Sequence, residues 1–220
     1  MNYFIQQMIV GGVPKETVIF LLMLPVAVTI ISFAHQVIGI QGFGIYTPLI
    51  LSFAFLSTGL KYGLVFFAVI LITGTVMRYI AKHFRLLYLP RIAIVLTVVA
   101  VAVTVVFALG GQFHKNGLIN VSIFVILIMI TLVEKFIAVQ IEQGARQAVA
   151  LTLATLLLSI ICFWIASWSW AQSIVTAYPA WVVLGAIAAN FLLGKWTGLR
   201  LSEYVRFKEL IKEIELPEEK

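Results

Sequence analysis

The chain has 220 residues, 62% of them hydrophobic and 11% charged, with a formal net charge of +6 and a mean hydropathy of +1.10. Soluble domains carry about 25% charged residues, so this composition cannot cover a soluble surface, and it excludes a disordered chain as well. The sole cysteine, Cys162, has no partner in its own chain, which excludes a disulfide scaffold. The composition predicts an all-α, polytopic membrane helical bundle, and the excess positive charge then concerns membrane orientation rather than nucleic acid.

Seven apolar stretches follow in order: Thr17–Ala34, Phe43–Leu60, Tyr62–Met77, Ile92–Leu109, Leu118–Val133, Ala148–Ser167 and Tyr178–Gly194. A transmembrane helix needs about 20 residues at about 1.5 Å each, so flanking residues must complete the shorter stretches. Pro14, followed by Lys15 and Glu16, marks the first helix start; Pro90 opens the fourth helix and Pro179 the seventh. Pro48 interrupts the second stretch near its start, and Arg78 and Glu134 end the third and fifth. Gly110-Gly111 closes the fourth, Gly117 precedes the fifth, and Gly144 separates the fifth from the sixth. The runs do not alternate apolar with polar residues, which excludes a transmembrane β-barrel. His35-Gln36-Val37 follows the first stretch in place of a small-residue cleavage site, so that stretch is not a signal peptide. No internal repeat points to a transporter built from two halves. The expected organisation is a short external N-terminal segment (residues 1–13), a seven-helix transmembrane domain (14–196) and a cytoplasmic amphipathic tail (197–220).

Charge sets the expected orientation. With seven spans, one side receives Arg78, Lys82, Arg85, Arg91, Lys135, Arg146, Lys195, Arg200, Arg206, Lys208, Lys212 and Lys220; the other receives Lys15, Lys61 and Lys115. The positive-inside rule places the C-terminus in the cytoplasm and the N-terminus outside. If the second stretch re-enters instead of crossing, Lys15 moves inside, and the charges fix the C-terminus alone. Trp164, Trp168, Trp170 and Trp181 flank an uncharged sixth loop and read as an outer interfacial belt, with Trp196 at the inner face.

Three polar clusters stand out. The first loop reads His35-Gln36-Val37-Ile38-Gly39-Ile40-Gln41-Gly42-Phe43-Gly44, and its three glycines within six residues permit positive φ. It is either a tight turn that lets helices pack or a glycine-rich approach to a helix N-terminus, with His35, Gln36 and Gln41 as candidate polar residues. Its spacing matches neither phosphate-loop nor dinucleotide fingerprints. The second cluster, Glu134, Lys135, Gln140, Glu142, Gln143 and Arg146, ends the fifth helix. Glu134 and Lys135 are adjacent and so face different directions, and if the helix continues, Glu142 lies seven residues after Lys135 on the same face. These charges are either interface anchors or a working polar site. The third cluster is the tail. Leu201, Tyr204, Val205, Phe207, Leu210, Ile211 and Ile214 recur at helical spacing among basic residues. That pattern fits a helix on the inner leaflet or a docking face carrying Arg200, Glu203 and Arg206.

Enzyme signatures are missing. His35, His83 and His114 form no metal-ligand pair, the chain has no Asp, and no Ser-His-Asp set or Gly-x-Ser-x-Gly motif exists. A non-enzyme with no cofactor and no metal is expected. Asn190 and the scattered threonines read as hydrogen bonds between helices, and Gly185 with Ala189 as a packing face on the last helix.

The chain resembles the bacterial seven-helix membrane domain usually fused behind an inactive transglutaminase-like domain. The matching residues are His35-Gln36-Val37-Ile38-Gly39, Phe43-Gly44, Thr47-Pro48, Ala54-Phe55, Thr58-Gly59-Leu60 and Leu89-Pro90-Arg91. Further matches are Glu134-Lys135, Glu142-x-Gly144-Ala145-Arg146, Thr197-Gly198-x-Arg200-Leu201-x-Glu203 and Arg206-Phe207. Their order and spacing, from about Pro14 to Phe207, carry the likeness rather than any one motif. The resemblance implies seven spans, an external N-terminus and a bacterial inner (plasma) membrane location. It also implies partners: a cytoplasmic ATP-grasp ligase of the glutamate-adding kind, and an aspartic-protease-like membrane protein. A role in envelope peptide tagging or signalling goes with them. Only about 15 residues precede the first helix, so a stand-alone form is expected, with a transglutaminase-like domain supplied by a separate chain. The expected function is a non-enzymatic membrane module that scaffolds or regulates such a partner; the alternative is a small-molecule or ion transporter or channel. The lipid bilayer is the expected partner, no nucleic acid is expected, and an oligomer is compatible with the sequence.

Overall fold

A computed structural model describes residues 3–81, 83, 87–112 and 122–195. Among these residues all regular structure is helical: α1 (Tyr3–Val10), α2 (Lys15–Phe33), a π-helical turn (Ala34–Ile38), α3 (Tyr46–Thr58), α4 (Leu60–Ala81), α5 (Tyr88–Gln112), α6 (Ile123–Glu142), α7 (Ala145–Ser167), α8 (Ser169–Ala177) and α9 (Pro179–Gly194). By length and composition five segments can each cross a membrane: Lys15–Ile38, Leu60–Ala81, Pro90–Gly110, Ile123–Glu142 and Ala145–Ser167. The pair α8 and α9, bent by 102°, makes a sixth if the two form one broken span. The chain divides into two compact units, Met1–Ile45 with Ile165–Lys220, and Tyr46–Trp164.

In the first unit α2 packs against α9, and α8 also packs on α2. Pro25 lies inside α2, where it removes one backbone donor and disturbs the preceding turn. The Thr29 hydroxyl donates to the Pro25 carbonyl at 2.8 Å, a local repair suited to a site without water. Asn190 Nδ2 donates to the Thr29 hydroxyl oxygen at 2.8 Å and to the Ala186 carbonyl at 2.9 Å. The interhelical role expected of Asn190 is therefore observed. The packing face on α9 differs from expectation. Ala186 is buried and Asn190 half-buried, whereas Gly185 is exposed, with no atom within 4 Å of an added Cβ. Gly185 and Ala189 instead line an open apolar groove with Val26, Ile30 and Phe33. Spacing by four selects one stripe of a helix, but an adjacent stripe carries the contact.

In the second unit α4 packs against α3, α5 and α6. Close approach relies on glycine at two places. A Cβ on Gly63 would lie 2.5 Å from the Phe55 ring, and one on Gly74 would lie 2.7 Å from Val133 Cγ1. Phe55, Phe66, Leu51, Ile70 and Met129 fill the core.

Five segments differ from the boundaries expected or carry a helix not expected. The second stretch yields a helix of only 13 residues, about 20 Å long against a hydrocarbon core of about 30 Å. Seven of its 13 residues are buried, while only 17% to 39% of each long span is. Its hydrophobicity thus reflects burial in protein as much as contact with lipid. The third and fifth helices do not stop at Arg78 and Glu134: α4 runs to Ala81 and α6 to Glu142. Arg, Glu and Lys are good helix formers whose flexible stems carry the charge sideways, so a charge alone does not end a helix. The segment between the sixth and seventh stretches is helix α8, not a loop. Gln172 Nε2 donates to the Ala166 carbonyl at 2.8 Å, satisfying one of the last acceptors of α7. The N-terminal segment holds helix α1.

Trp164, Trp168, Trp170 and Trp181 are 63% to 75% exposed, which suits an outward-facing belt. The tail from residue 196, with Trp196, Arg200, Glu203 and Arg206, lies outside the described residues, as do Lys82, Arg85, His114 and Lys115.

Candidate functional site

The first polar site is built where α2 changes pitch. Its last turn widens into the π-helical segment Ala34–Ile38, which carries His35 and Gln36. Such wide turns inside helices occur frequently at functional sites. The turn is closed by Gly39, whose φ of 83° is left-handed. The N–H groups of Gly39 and Ile40 both donate to the Ala34 carbonyl, at 3.0 and 3.1 Å. Ser32, His35, Gln36 and Asn190 line a cavity of about 200 Å³ with Ile45, Leu193 and Gly194. That volume accommodates a small polar solute or several waters. The lining offers a hydroxyl, an imidazole and two carboxamides, which is neutral chemistry with both donors and acceptors. Gln41 is exposed and lies outside this lining.

The second polar site lies in the second unit. Glu134 and Lys135 sit within α6, eleven and twelve residues beyond Ile123, rather than at the helix end. As their adjacency requires, they point to different places. Lys135 Nζ donates to the Thr47 hydroxyl at 3.3 Å, tying α6 to the first turn of α3. A cavity of about 120 Å³ adjoins this bond, lined by Thr47, Ile50, Ile128, Thr131, Leu132 and Lys135. Thr47 and Pro48 are buried there, so Pro48 occupies the first helical turn as its residue type favours.

Glu134 faces the other way, into a narrow cavity of about 20 Å³ that it shares with Arg78 of α4 and Arg91 of α5. Ile130, Val133, Ile137, Ala138 and Ile141 continue the same face of α6. Both arginines are half-buried. Arg78 Nη2 donates to the backbone carbonyl of Gln140 at 3.3 Å. That carbonyl is one of the last four of α6 and has no acceptor role within the helix, so a cation there is favoured. The Gln140 side-chain oxygen is buried without a hydrogen-bond partner among the described residues. Arg91 lies in the fourth position of α5, where the helix dipole opposes a positive charge.

The expected polar residues thus divide between two sites. His35 and Gln36 belong to the first unit; Glu134 and Lys135 belong to the second. Glu142 closes α6 and Arg146 lies in the first turn of α7, both exposed. Sequence reasoning placed Arg78 at the end of the third stretch and both arginines on one side of the membrane, and missed their convergence with Glu134. Helical phase carried that signal: Ile130, Glu134, Ile137 and Ile141 share one face once α6 runs past Glu134. Among the described residues no group of three His, Cys, Asp or Glu side chains is placed to hold a metal ion.

Over residues 5–211 the chain matches the family described as seven transmembrane helices usually fused to an inactive transglutaminase. The chain belongs to this family. No curated protein and no solved structure matches it. Membership, with the long apolar helices, establishes a multi-pass membrane protein with a helical bundle. Among the described residues five helices are long and apolar enough to cross a membrane, or six if the bent α8–α9 pair is one span, and α3 is a shorter apolar helix.

Proposed function

We propose that this protein is a non-enzymatic membrane module that scaffolds or regulates a partner at the cytoplasmic face of a bacterial inner membrane. The supporting observation is the family itself, whose seven helices are usually fused to an inactive transglutaminase. Helices that bear a domain without catalytic function serve to place or couple it, and the chain's lack of an enzyme signature agrees with that role. In this reading the C-terminus is cytoplasmic and the N-terminus external, following the excess of Lys and Arg on the loops of one side. In this reading the basic residues from Arg78 to Arg91, the end of α6 and the tail with Arg200, Glu203 and Arg206 all belong to the cytoplasmic side and supply the docking residues. The partner class is an ATP-grasp ligase that extends peptides, with a transglutaminase-like or aspartic-protease-like membrane protein in the same system. Charge reversal at Arg200, Arg206 and Glu142 tests it: recovery of the partner falls, while the amount of folded membrane protein is unchanged. Undiminished recovery would remove the reading.

A second reading rests on the neutral polar cavity of Ser32, His35, Gln36 and Asn190. A transporter or channel for a small polar solute would use such a lining at membrane depth. Flux in proteoliposomes, abolished by Gln36→Ala, separates it from the scaffold.

A further inference from the structure

We infer that the groove between α2 and α9 and the polar cavity at its end form one binding site for an uncharged, hydroxyl-headed lipid. The groove has a volume of about 680 Å³, and its lining is apolar apart from the Thr29 hydroxyl. The polar cavity of about 200 Å³ shares Leu193 with the groove and takes Ser32, Gln36 and Asn190 from the same two helical segments. The hydrogen bond between Asn190 and Thr29 lies at the junction, because Thr29 lines the groove and Asn190 the cavity. Taken together, the two spaces fall within the about 300 to 1,000 Å³ of a site for one small molecule.

The length and the ends of the groove select a lipid over a water-soluble molecule. Along α2 and its π-helical turn the lining runs from Val26 to Val37, about 17 Å at the helical rise. One leaflet of a hydrocarbon core about 30 Å thick has about that depth. The polar cavity lies where both segments end, at the π-helical turn and at Gly194. A lipid seated there keeps its head at the membrane boundary and its chain within one leaflet, and the apolar lining favours the chain. The chemistry of the cavity sets the head. No Asp, Glu, Lys or Arg lines either space. Lys195 follows Gly194, but its Nζ lies over the Phe191 ring, 4.5 Å from the centroid. An ionised head would lose its water without gaining a counter-charge, which is costly. A hydroxyl fits, because it both donates and accepts. Asn190 commits Nδ2 to Thr29 and Ala186, which leaves its carbonyl oxygen as an acceptor. Among the described residues the side chains of Ser32 and Gln36 make no hydrogen bond, and both can donate and accept. This site needs no partner protein and stands independently of the scaffold reading; it puts a resident lipid where the transport reading puts a passing solute.

The test is native mass spectrometry of the full chain, delipidated in mild detergent and titrated with monooleoylglycerol, with oleoyl lysophosphatidylglycerol, which has the same chain and a charged head, or with glycerol alone. One monooleoylglycerol is expected to be retained per chain, about tenfold more readily than the charged lipid, and glycerol is not retained. Gln36→Leu removes the preference between the two heads, while Gln41→Ala, outside the lining, preserves it. Gly185→Leu puts a side chain into the groove where no atom lies within 4 Å of an added Cβ, so the fold is kept. Retention of both lipids should then fall about tenfold. This second variant decides the matter if Gln36→Leu fails to fold. Equal retention of the charged lipid, retention undiminished by Gly185→Leu, binding of glycerol without a chain, or a second copy of this chain covering the groove in place of lipid would each overturn the site.

Discussion

Asn190 is the one strongly polar residue of the seventh apolar stretch, and its two donors go to the Thr29 hydroxyl and the Ala186 carbonyl. The sequence made this bond legible because an uncharged amide inside an apolar helix has few other ways to be satisfied. Its partner was not legible, since nothing in the sequence pairs α9 with α2. Thr29 also donates to Pro25, so this hydroxyl serves both helices. Asn190→Leu and Thr29→Val should each lower stability in detergent. Their double-mutant cycle should show a coupling of about 0.6 kcal/mol, with an upper bound of about 1.7. Additive effects, measured by reversible unfolding, would mean that the bond does not form. Glu134 and Lys135 teach the complementary lesson. Their divergence followed from helical phase alone, but their depth did not, because a charge at the end of an apolar run looks like a helix end. In the structure Lys135 reaches Thr47 and Glu134 joins Arg78 and Arg91.

Among the helices, small residues decide how closely the elements approach. The Cα of Gly74 faces Val133 of α6 so closely that an added Cβ would come within 2.7 Å. Gly74→Leu should therefore destabilise the second unit by about 1 to 3 kcal/mol through overpacking. Gly185→Ala, where no atom lies within 4 Å, should shift stability by no more than about 0.5 kcal/mol. Thermal unfolding of the two variants side by side checks both, and an equal loss would contradict the packing described. The sequence pointed to Gly185 and passed over Gly74 because it shows which residues are small but not which helix stripe meets a neighbour. Short helices were hidden for a related reason. In α8, polar Gln172 and Ser173 interrupt the apolar run, and in α3 a buried helix is as apolar as a membrane span.

Across the whole molecule the helical membrane class followed directly from composition, since no other fold accommodates so few charges. The number of complete crossings did not follow, because it depends on whether about 20 Å of α3 and its non-helical approach from Gly39 together traverse the bilayer. The proposed external N-terminus requires that they do. Reporter fusions at Gln41 and Lys61 should then fall on opposite sides of the membrane; fusions on the same side would make α3 re-entrant and place the N-terminus with the C-terminus. The central claim is that these helices serve a partner. The most direct measurement is purification of the full chain from its native host in mild detergent, with quantitative mass spectrometry of whatever co-purifies. The account predicts an ATP-grasp ligase or a transglutaminase-like chain near equal stoichiometry. That partner should be lost on charge reversal at Arg200 and Arg206. Recovery of the protein without either partner, and with a small polar molecule bound, would contradict it and favour transport through the cavity at His35 and Gln36.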